Sequence, residues 1–407
     1  MWGGKHMNLE MLKIKKNYLR RILDISLNHR NYSTIVFRAT FSLDEIKDII
    51  EELKSEFNID NVIFLDFDND KIKSFYESNP TEKEIEEFIP KFPTPTGNMK
   101  LIFFSNTITD YSDNYYSDYA LEYSDNLKEY NKEIFDRIKK LSTADKTITV
   151  CPNKEWAESL FGSQNQLDEL WIKISGTLLS PDETKKEVEE RIERKEELNR
   201  MNIRNLHFYT NLGTDFKIAL NPHSIWACEP NNIKGAFNFF NFPSYEICTS
   251  PNCYSAEGKI VLSKKGRFYD NIAIEKAIFE FSKGRLISSK SNSELFDSTV
   301  LDKSNGMNRI GEIALVSQVS PLAKSGESYG STLFDENTGC HFALGNSLND
   351  CIGVEKAKLE EKGARYYRYN TAEDHLDLVF GNDSISVEAE TKCKKKILLM
   401  ENGIWKI

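Results

Sequence analysis

Residues 33–40 read STIVFRAT, and this β-branched and aromatic run predicts a β-strand. Ser42 and Glu45 follow with the spacing of a helix capping box, which has a hydroxyl at the N-cap and a glutamate at N3. Apolar residues from Ile46 to Leu53 then recur on one helical face. The run NVIFLD at residues 61–66 predicts the next strand. Strand, helix and strand at this spacing indicate a parallel sheet with helical crossovers.

Further strands and a long helix are predicted along the chain, and near its middle the pattern changes to short strands and turns. Two more strands are predicted at Leu101–Ser105 and Thr147–Cys151. The sequence at residues 180–183, SPDE, is a strong helix start, with a hydroxyl N-cap, proline at N1 and glutamate at N3. The helix is expected to run to about Arg200, and its charged pairs four residues apart are typical of a solvated helix leading from one domain to another. From Leu206 onward, short strands alternate with turns.

We therefore expect two domains with a boundary near residue 205. The first, residues 1–205, is an α/β domain that includes the linking helix, and the second comprises residues 206–407. The predicted fold class is α/β, with a Rossmann-like N-terminal domain built on a parallel sheet, followed by an α+β C-terminal domain.

Composition excludes several classes of protein. The chain has 407 residues, of which 40% are hydrophobic, so a large core can form and global disorder is excluded. Its formal net charge of −10 argues against general nucleic-acid binding, because phosphates need a positive surface. No apolar run approaches the ~20 residues of a membrane helix, and the first residues lack the apolar core of a secretory signal. Seven scattered cysteines fit reduced thiols, so a cytoplasmic location is expected.

Several common catalytic signatures are absent from the sequence. There is no P-loop, no H-E-x-x-H, no G-x-S-x-G and no C-x-x-C pair. The Rossmann-like domain also lacks the G-x-G-x-x-G turn that lets a pyrophosphate approach a helix N-terminus. The sequence thus argues against dinucleotide binding.

Four separate stretches in the second domain place carboxylates and imidazoles in apolar surroundings. They are residues 242–251 with Glu246, residues 309–316 with Glu312, residues 335–341 with Glu336 and His341, and His375-Leu376-Asp377. On a strand, His375 and Asp377 would point to the same side. Six such side chains suit two divalent ions. Each stretch alone fits equally well a neutral histidine bonded to a carboxylate, a paired glutamate or an ordinary turn, so the residues alone leave the metal site as one option.

The same stretches resemble the thermophilic metallo-aminopeptidases of the aminopeptidase T, aminopeptidase S and aminopeptidase II type. The resemblance runs from about Cys151 to the C-terminus and more faintly across the first domain. It rests on ordered motifs with compatible spacing: WAESLF at 156–161, GTDF at 213–216, FPSYEICTSP at 242–251, RIGE at 309–312, TLFDEN at 332–337, CHFALG at 340–345 and HLD at 375–377.

The resemblance implies which domain binds metal, which residues are the ligands and what reaction follows. It implies that residues 206–407 are the metal-binding catalytic domain, with two divalent ions per chain, of zinc, cobalt, manganese or magnesium. Six residues would be the metal ligands: Glu246, Glu312, Glu336, His341, His375 and Asp377. The implied activity is release of N-terminal residues from small peptides by attack of a metal-activated water. Glu312 would bridge the metals, or act as general base and then proton donor. A cytoplasmic homodimer is implied, with no nucleic-acid or membrane partner.

One position departs from the family pattern. Three residues after the glycine of CHFALG the family has a tyrosine thought to stabilise the transition state, and here Leu348 stands in its place. Losing one such donor typically costs about 10²–10³ in rate. Tyr329 and Tyr369 are loose candidates for a substitute donor. The alternative function is therefore a metal-binding but catalytically weak or silent relative that serves as a peptide- or protein-binding module.

Overall fold

The computed structural model describes residues 3–27, 32–39, 41–66, 78, 80–81, 83–84, 87, 93–94, 96–105, 140–141, 143–233, 236–268 and 272–407. The chain divides into two compact units, one formed by Met1–Leu178 with Pro230–Pro243 and the other by Leu179–Glu229 with Ser244–Ile407. These units differ from the expected division at residue 205 in two places. The helix after Ser180 belongs to the second unit, and a short later segment belongs to the first.

The first unit contains the predicted parallel sheet. Its described strands are β1 (Thr34–Ala39), β2 (Asn61–Asp66), β3 (Met99–Phe104) and β4 (Asp145–Thr149), in the order β2-β1-β3-β4 with every pair parallel. Its described helices are α1 (Gly3–Leu27), α2 (Asp44–Lys54), α3 (Lys154–Phe161) and α4 (Leu167–Ser175). The predicted Rossmann-like α/β architecture is thus confirmed.

The predicted capping box of α2 is wrong, although its apolar face is correct. Ile46 and Leu53 are among the four buried side chains of this helix, as expected. The N-cap is Leu43, one residue later than Ser42, and its side chain makes no cap hydrogen bond. The Leu43 N–H instead donates to the Asp66 carboxylate at 3.1 Å, so a residue from the next strand binds the helix start.

In the second unit, the predicted helix α5 (Pro181–Arg200) has the full capping box. Ser180 accepts from the Glu183 N–H, and Glu183 accepts from the Ser180 N–H. The helix is less solvated than its charge pattern indicates, because Val188, Arg191 and Leu198 are all buried. The sequence shows few apolar positions, and one of the buried positions is an arginine.

The larger antiparallel sheet of the second unit has eight strands in the described part of the chain. In chain order they are β5 (Ile203–Tyr209), β6 (Asp215–Ala219), β10 (Glu257–Val261), β13 (Ala277–Ser282), β14 (Arg285–Ser291), β18 (Ser386–Thr391), β19 (Lys396–Glu401) and β20 (Ile404–Trp405). They are arranged in the order β14-β13-β10-β6-β5-β18-β19-β20. The described strands also include two small hairpins: β7 (Asn231–Ile233) with β8 (Ala236–Asn238) in the first unit, and β11 (Gly266–Phe268) with β12 (Ile272–Ile274) in the second.

A smaller antiparallel sheet carries the candidate site. Its strands are β9 (Glu246–Thr249), β15 (Ile310–Val316), β16 (His341–Gly345) and β17 (His375–Val379), in the order β17-β16-β15-β9. Four described helices occur in the connections between these strands: α6 (Glu294–Leu301), α7 (Pro321–Lys324), α8 (Thr332–Asp335) and α9 (Lys356–Tyr367). Together these elements confirm the predicted α+β second domain.

The two faces of the smaller sheet differ because successive side chains on a strand alternate. One face, here called the core face, carries buried apolar residues that belong to the main hydrophobic cluster: Ile247, Ile313, Leu315, Phe342, Leu344, Leu376 and Leu378. The opposite face, here called the polar face, carries five candidate residues: Glu246, Glu312, His341, His375 and Asp377. No helix in the described part of the chain is both long and apolar enough to cross a membrane.

Candidate metal centre

Strand register brings the polar-face residues together. Glu312 on β15 pairs with Ala343 on β16, which pairs in turn with Asp377 on β17. His375 lies opposite Gly345 in the neighbouring row. A methyl group therefore separates the two carboxylates, and no side chain lies opposite the imidazole. These small residues leave room for ligand atoms to converge, a role that the sequence analysis did not assign to them.

The side chains meet in two groups that share one glutamate. His341 Nε2 lies 3.0 Å from a Glu246 oxygen. His375 Nε2 lies 3.0 Å from Glu312 Oε2 and 3.2 Å from Asp377 Oδ1. Glu246, Glu312 and His341 form one group, and Glu312, His375 and Asp377 form the other; within each, the ligand atoms all lie within 4.8 Å of one another. These are the groups of this kind found in the described residues.

Backbone carbonyls orient both imidazoles. His375 Nδ1 lies 2.8 Å from the Asn346 carbonyl oxygen, and His341 Nδ1 lies 3.3 Å from the Gly339 carbonyl oxygen. Because a carbonyl only accepts, each Nδ1 carries a proton, and each Nε2 faces the carboxylates. This is the arrangement in which protein histidines bind metals. These partners cannot be predicted from the sequence, because the positions of backbone carbonyls leave no mark in the side-chain pattern.

Gly311 permits the close approach that places Glu312. The pairing of β15 with β16 shifts by one residue between Ile310 and Glu312. A Cβ at Gly311 would lie 2.2 Å from the Asn346 carbonyl oxygen and 2.5 Å from that of Gly345. The same Asn346 oxygen accepts from His375. The glycine before Glu312 therefore allows the turn that also holds His375.

Glu336 lies beside the two groups and belongs to neither. It begins the 3-10 turn Glu336–Thr338 directly after α8, and Asn337 Nδ2 lies 3.4 Å from its Oε1. The pKa of Glu336 is raised well above its usual value, first by burial and then by the charges of Glu246, Asp377 and Glu312. The structure thus brings five of the six predicted ligands into direct contact and the sixth within electrostatic range.

The electrostatics of the site favour a cation. Burial raises the pKa of Glu312, although the neighbouring His375 opposes the shift. Burial alone would lower the pKa of His341, but its hydrogen bond with Glu246 and nearby carboxylates raise it to about 9. Four carboxylates crowd around two imidazoles, and burial with mutual repulsion raises the pKa values of Glu312 and Glu336. Buried unpaired charge is costly, and divalent cations relieve it.

The donor set fits divalent metal ions. Asp377 Oδ1 is buried and lies 3.2 Å from His375 Nε2. Carboxylate oxygens with imidazole nitrogens suit zinc, cobalt and manganese alike. Buried carboxylate oxygens beside two imidazoles whose Nδ1 atoms are bound to backbone carbonyls therefore form a donor set that fits divalent ions.

Leu348 lies in an apolar cluster next to the polar face. It packs against Cys248, Ala314 and Cys351, of which the first two belong to that face. Its backbone N–H donates to Ser250 Oγ at 2.9 Å. Its carbonyl accepts from the same hydroxyl, also at 2.9 Å. Leucine therefore continues an apolar wall at this position.

The two candidate substitute tyrosines lie elsewhere in the second unit. Tyr329 is buried and packs edge-on against Phe334, with ring centroids 5.3 Å apart. Tyr369 packs on a separate apolar cluster around Ile352 and Tyr367.

Comparison with known proteins agrees with the geometry. Aminopeptidase PepS of Streptococcus thermophilus is 28% identical over 274 residues, which cover 64% of this chain and 65% of PepS. Aminopeptidase T of Thermus aquaticus is 28% identical over 226 residues, covering 52% of this chain and 51% of that relative. The chain thus matches between 51% and 65% of the length of these two curated relatives.

A solved structure shares the fold over nearly the whole chain. Wild-type AmpT from Thermus thermophilus matches with a TM-score of 0.75 at 19% identity, over 97% of this chain and 99% of that chain. The sequence profile of the family described as thermophilic metalloprotease (M29) matches residues 15–405. The resemblance predicted from the motifs is therefore confirmed, and the chain belongs to the M29 family of thermophilic metalloproteases.

Proposed function

We propose that this chain is a dinuclear metal-dependent aminopeptidase that releases N-terminal residues from small peptides. The observation that carries the proposal is the sharing of Glu312 between two ligand groups whose atoms lie within 4.8 Å. A carboxylate has two oxygens and can serve two cations at once, so this arrangement suits a metal pair. The aminopeptidase names of PepS and aminopeptidase T support the same activity.

The candidate ligands would form two cation sites. Glu246 and His341 would hold one, His375 and Asp377 the other, and Glu312 would bridge them, with Glu336 as a further ligand at the edge. Divalent ions bound there would supply polarisation of the scissile carbonyl and acidification of water. The native ion is proposed as zinc, cobalt, manganese or magnesium, all of which accept these donors.

The chain's own residues have distinct tasks in this proposal. The carbonyls of Asn346 and Gly339 hold the imidazoles in the tautomer that leaves Nε2 free. The shared position of Glu312 supports a bridging role over that of general base, because a carboxylate with both oxygens on cations has little basicity left. The apolar wall around Leu348 excludes water from one side of the site.

One observation favours a second candidate, a metal-holding relative that binds peptides without cleaving them. The side chain of Leu348 is a hydrocarbon that packs in an apolar cluster, and a hydrocarbon cannot donate a hydrogen bond to a developing oxyanion. The complete ligand set supports the enzyme, since the ligands of a silent protein have no catalytic reason to persist.

Metal content and activity measured on one preparation test both candidates. The purified chain is assayed for bound metal and for hydrolysis of leucyl- and arginyl-p-nitroanilide with added zinc, cobalt or manganese. Glu312→Gln should abolish turnover, whereas Glu280→Gln, an exposed glutamate on β13, is the matched control and should leave it unchanged. Two ions without turnover, restored by Leu348→Tyr, would establish the silent relative. Absence of bound metal would contradict both.

The family resemblance also supports a cytoplasmic homodimer, which we propose as the working form. Sedimentation velocity of the full chain tests it, and a monomer across the micromolar range would contradict it.

A further inference from the structure

One asparagine joins two segments that each carry a candidate ligand. Glu246 and Glu336 belong to parts of the second unit that are far apart in the chain. Tyr245 directly precedes Glu246, and Asn337 directly follows Glu336. The Tyr245 N–H donates to Asn337 Oδ1 at 2.6 Å. This hydrogen bond therefore ties the start of β9 to the turn that begins at Glu336.

The side-chain amide of Asn337 makes contacts at both of its ends. Its Nδ2 donates to the Leu333 carbonyl oxygen at 2.9 Å and lies 3.4 Å from Glu336 Oε1. A backbone N–H only donates and a carbonyl only accepts, so Tyr245 and Leu333 fix which end of the amide is oxygen and which is nitrogen. The nitrogen, a donor, is thus the end beside the Glu336 carboxylate. Asn337 is 0% exposed, so bulk solvent does not reach these contacts.

The turn that carries Asn337 is itself held in place. The Asn337 carbonyl oxygen accepts from Ser320 Oγ at 3.5 Å. Thr338 Oγ1 donates to the Asp335 carbonyl oxygen at 2.6 Å. The Asp335 carboxylate accepts the Tyr329 N–H, also at 2.6 Å. The amide therefore extends from a backbone that has fixed partners on both sides.

The two glutamates offer no attraction that would hold their segments together. Among the charges that act on Glu336, that of Glu246 has the largest effect. Two carboxylates at one site repel each other when both are ionised. The hydrogen bond between Tyr245 and Asn337 is a neutral contact, so it holds the segments in every charge state of the two glutamates. Breaking it would leave buried polar groups without partners, which is costly.

We propose that Asn337 is a positioning residue that sets Glu336 and Glu246 relative to one another at the candidate metal centre. It would touch neither a metal ion nor the substrate, and it would act through the two glutamates. The inference rests on the proposed dinuclear function and adds to it a residue outside the six candidate ligands. Partners that orient a metal ligand typically contribute about 10- to 100-fold in metal affinity.

Zinc titration of the full chain against a competing chromophoric chelator tests the proposal. Asn337→Asp keeps an oxygen for the Tyr245 N–H but places a second oxygen beside the Leu333 carbonyl and Glu336. We expect two zinc ions on the wild type, and in the variant an affinity about 10- to 100-fold lower for at least one of them. The visible absorption spectrum of the cobalt-loaded chain should change as well, because it reports ligand geometry, which a loss of stability alone does not alter.

A double-mutant cycle shows whether Asn337 acts through Glu336. In a Glu336→Gln background, Asn337→Asp should cause little further loss of zinc affinity, because changes that act through one ligand are not additive. Asn153→Asp is the matched control. Asn153 is also buried, and its amide accepts from the Trp156 N–H at 2.9 Å and donates to the Cys151 carbonyl at 3.1 Å. The control removes the same kind of bond and should leave zinc affinity and the cobalt spectrum unchanged.

Hydrogen exchange tests the other end of the amide. The Tyr245 N–H of the EDTA-treated wild type should be protected, because it is bonded to Asn337. Asn337→Ser removes the amide without adding a charge, so it should expose the Tyr245 N–H to exchange. This variant should also weaken zinc binding, and it replaces Asn337→Asp in the titration if the aspartate prevents folding.

The outcomes separate this inference from the function on which it rests. A wild-type chain that binds no zinc would overturn the proposed function and this inference together. Two zinc ions on the wild type, with unchanged affinity in Asn337→Asp and Asn337→Ser, would overturn only the role of Asn337. An equal loss in Asn153→Asp, additive losses in the cycle, an unchanged cobalt spectrum or rapid exchange at Tyr245 in the wild type would each do the same.

Discussion

Replacing Gly311 by alanine should damage both the stability of the protein and its candidate metal site. The added Cβ would lie 2.2 Å from the Asn346 carbonyl oxygen and 2.5 Å from the Gly345 carbonyl oxygen, and both are backbone atoms that cannot rotate away. Overpacking of this kind costs about 1–3 kcal/mol. Displacing the Asn346 oxygen also strains its 2.8 Å hydrogen bond from His375, which adds about 1 kcal/mol.

The total of about 2–4 kcal/mol corresponds to a fall in melting temperature of roughly 5–10 °C for a unit of this size. Metal affinity should fall about 10- to 100-fold, as it does when a partner that orients a ligand is lost. Differential scanning calorimetry measures the first effect, and metal titration against a competing chelator measures the second.

Gly97→Ala is the matched control, since a Cβ there meets nothing within 4 Å. It should be neutral, or slightly stabilising through the unfolded chain. A Gly311→Ala protein that melts and binds metal like the wild type would refute the argument that β15 and the turn after β16 are in contact through this glycine.

Three further predictions follow from single contacts. Ser180→Ala removes the capping box of α5 and should lower the free energy of unfolding by about 1 kcal/mol, measured by urea denaturation; an unchanged midpoint would mean that the cap contributes nothing. Ala343→Val inserts methyl groups between Glu312 and Asp377 and should weaken metal binding while the far-UV circular dichroism stays native; unimpaired binding would place the ions elsewhere. Chelation should lower the melting temperature of the wild type and leave that of Glu312→Gln nearly unchanged, and equal shifts in both would argue against a role for Glu312.

The sequence predicts the fold well where local signals and tertiary contacts agree. The STIVFRAT and NVIFLD strands lie next to each other in a parallel sheet, as the strand-helix-strand spacing indicates. The capping prediction for α2 is one residue early, since the helix has Leu43 as its N-cap and Asp66, from the following strand, accepts from the Leu43 N–H. The solvation of α5 is overestimated because Arg191 is buried, and a charge pattern cannot reveal a buried arginine.

The site is predictable in its donors and less so in its geometry. Alternation on a strand correctly puts His375 and Asp377 on one side, 3.2 Å apart. The family resemblance already implies that Glu312 is the shared residue. The strand register that places it between the two groups, with its shift at Gly311, cannot be seen in the sequence. The sulfur of Cys248 lies 3.8 Å from that of Cys351, 103 residues away in the chain, and nothing in the sequence indicates this contact.

The smaller sheet supports a stable hydrophobic core on one face and a buried charged site on the other. Its core face carries large apolar side chains that are almost fully buried, each contributing roughly 1.5–3 kcal/mol. That stabilisation is independent of the polar face, where Glu312 is 3% exposed among other carboxylates. The sheet can therefore hold its shape while its polar face carries a dense set of carboxylates, and we expect the proposed cation site to be formed before any cation binds.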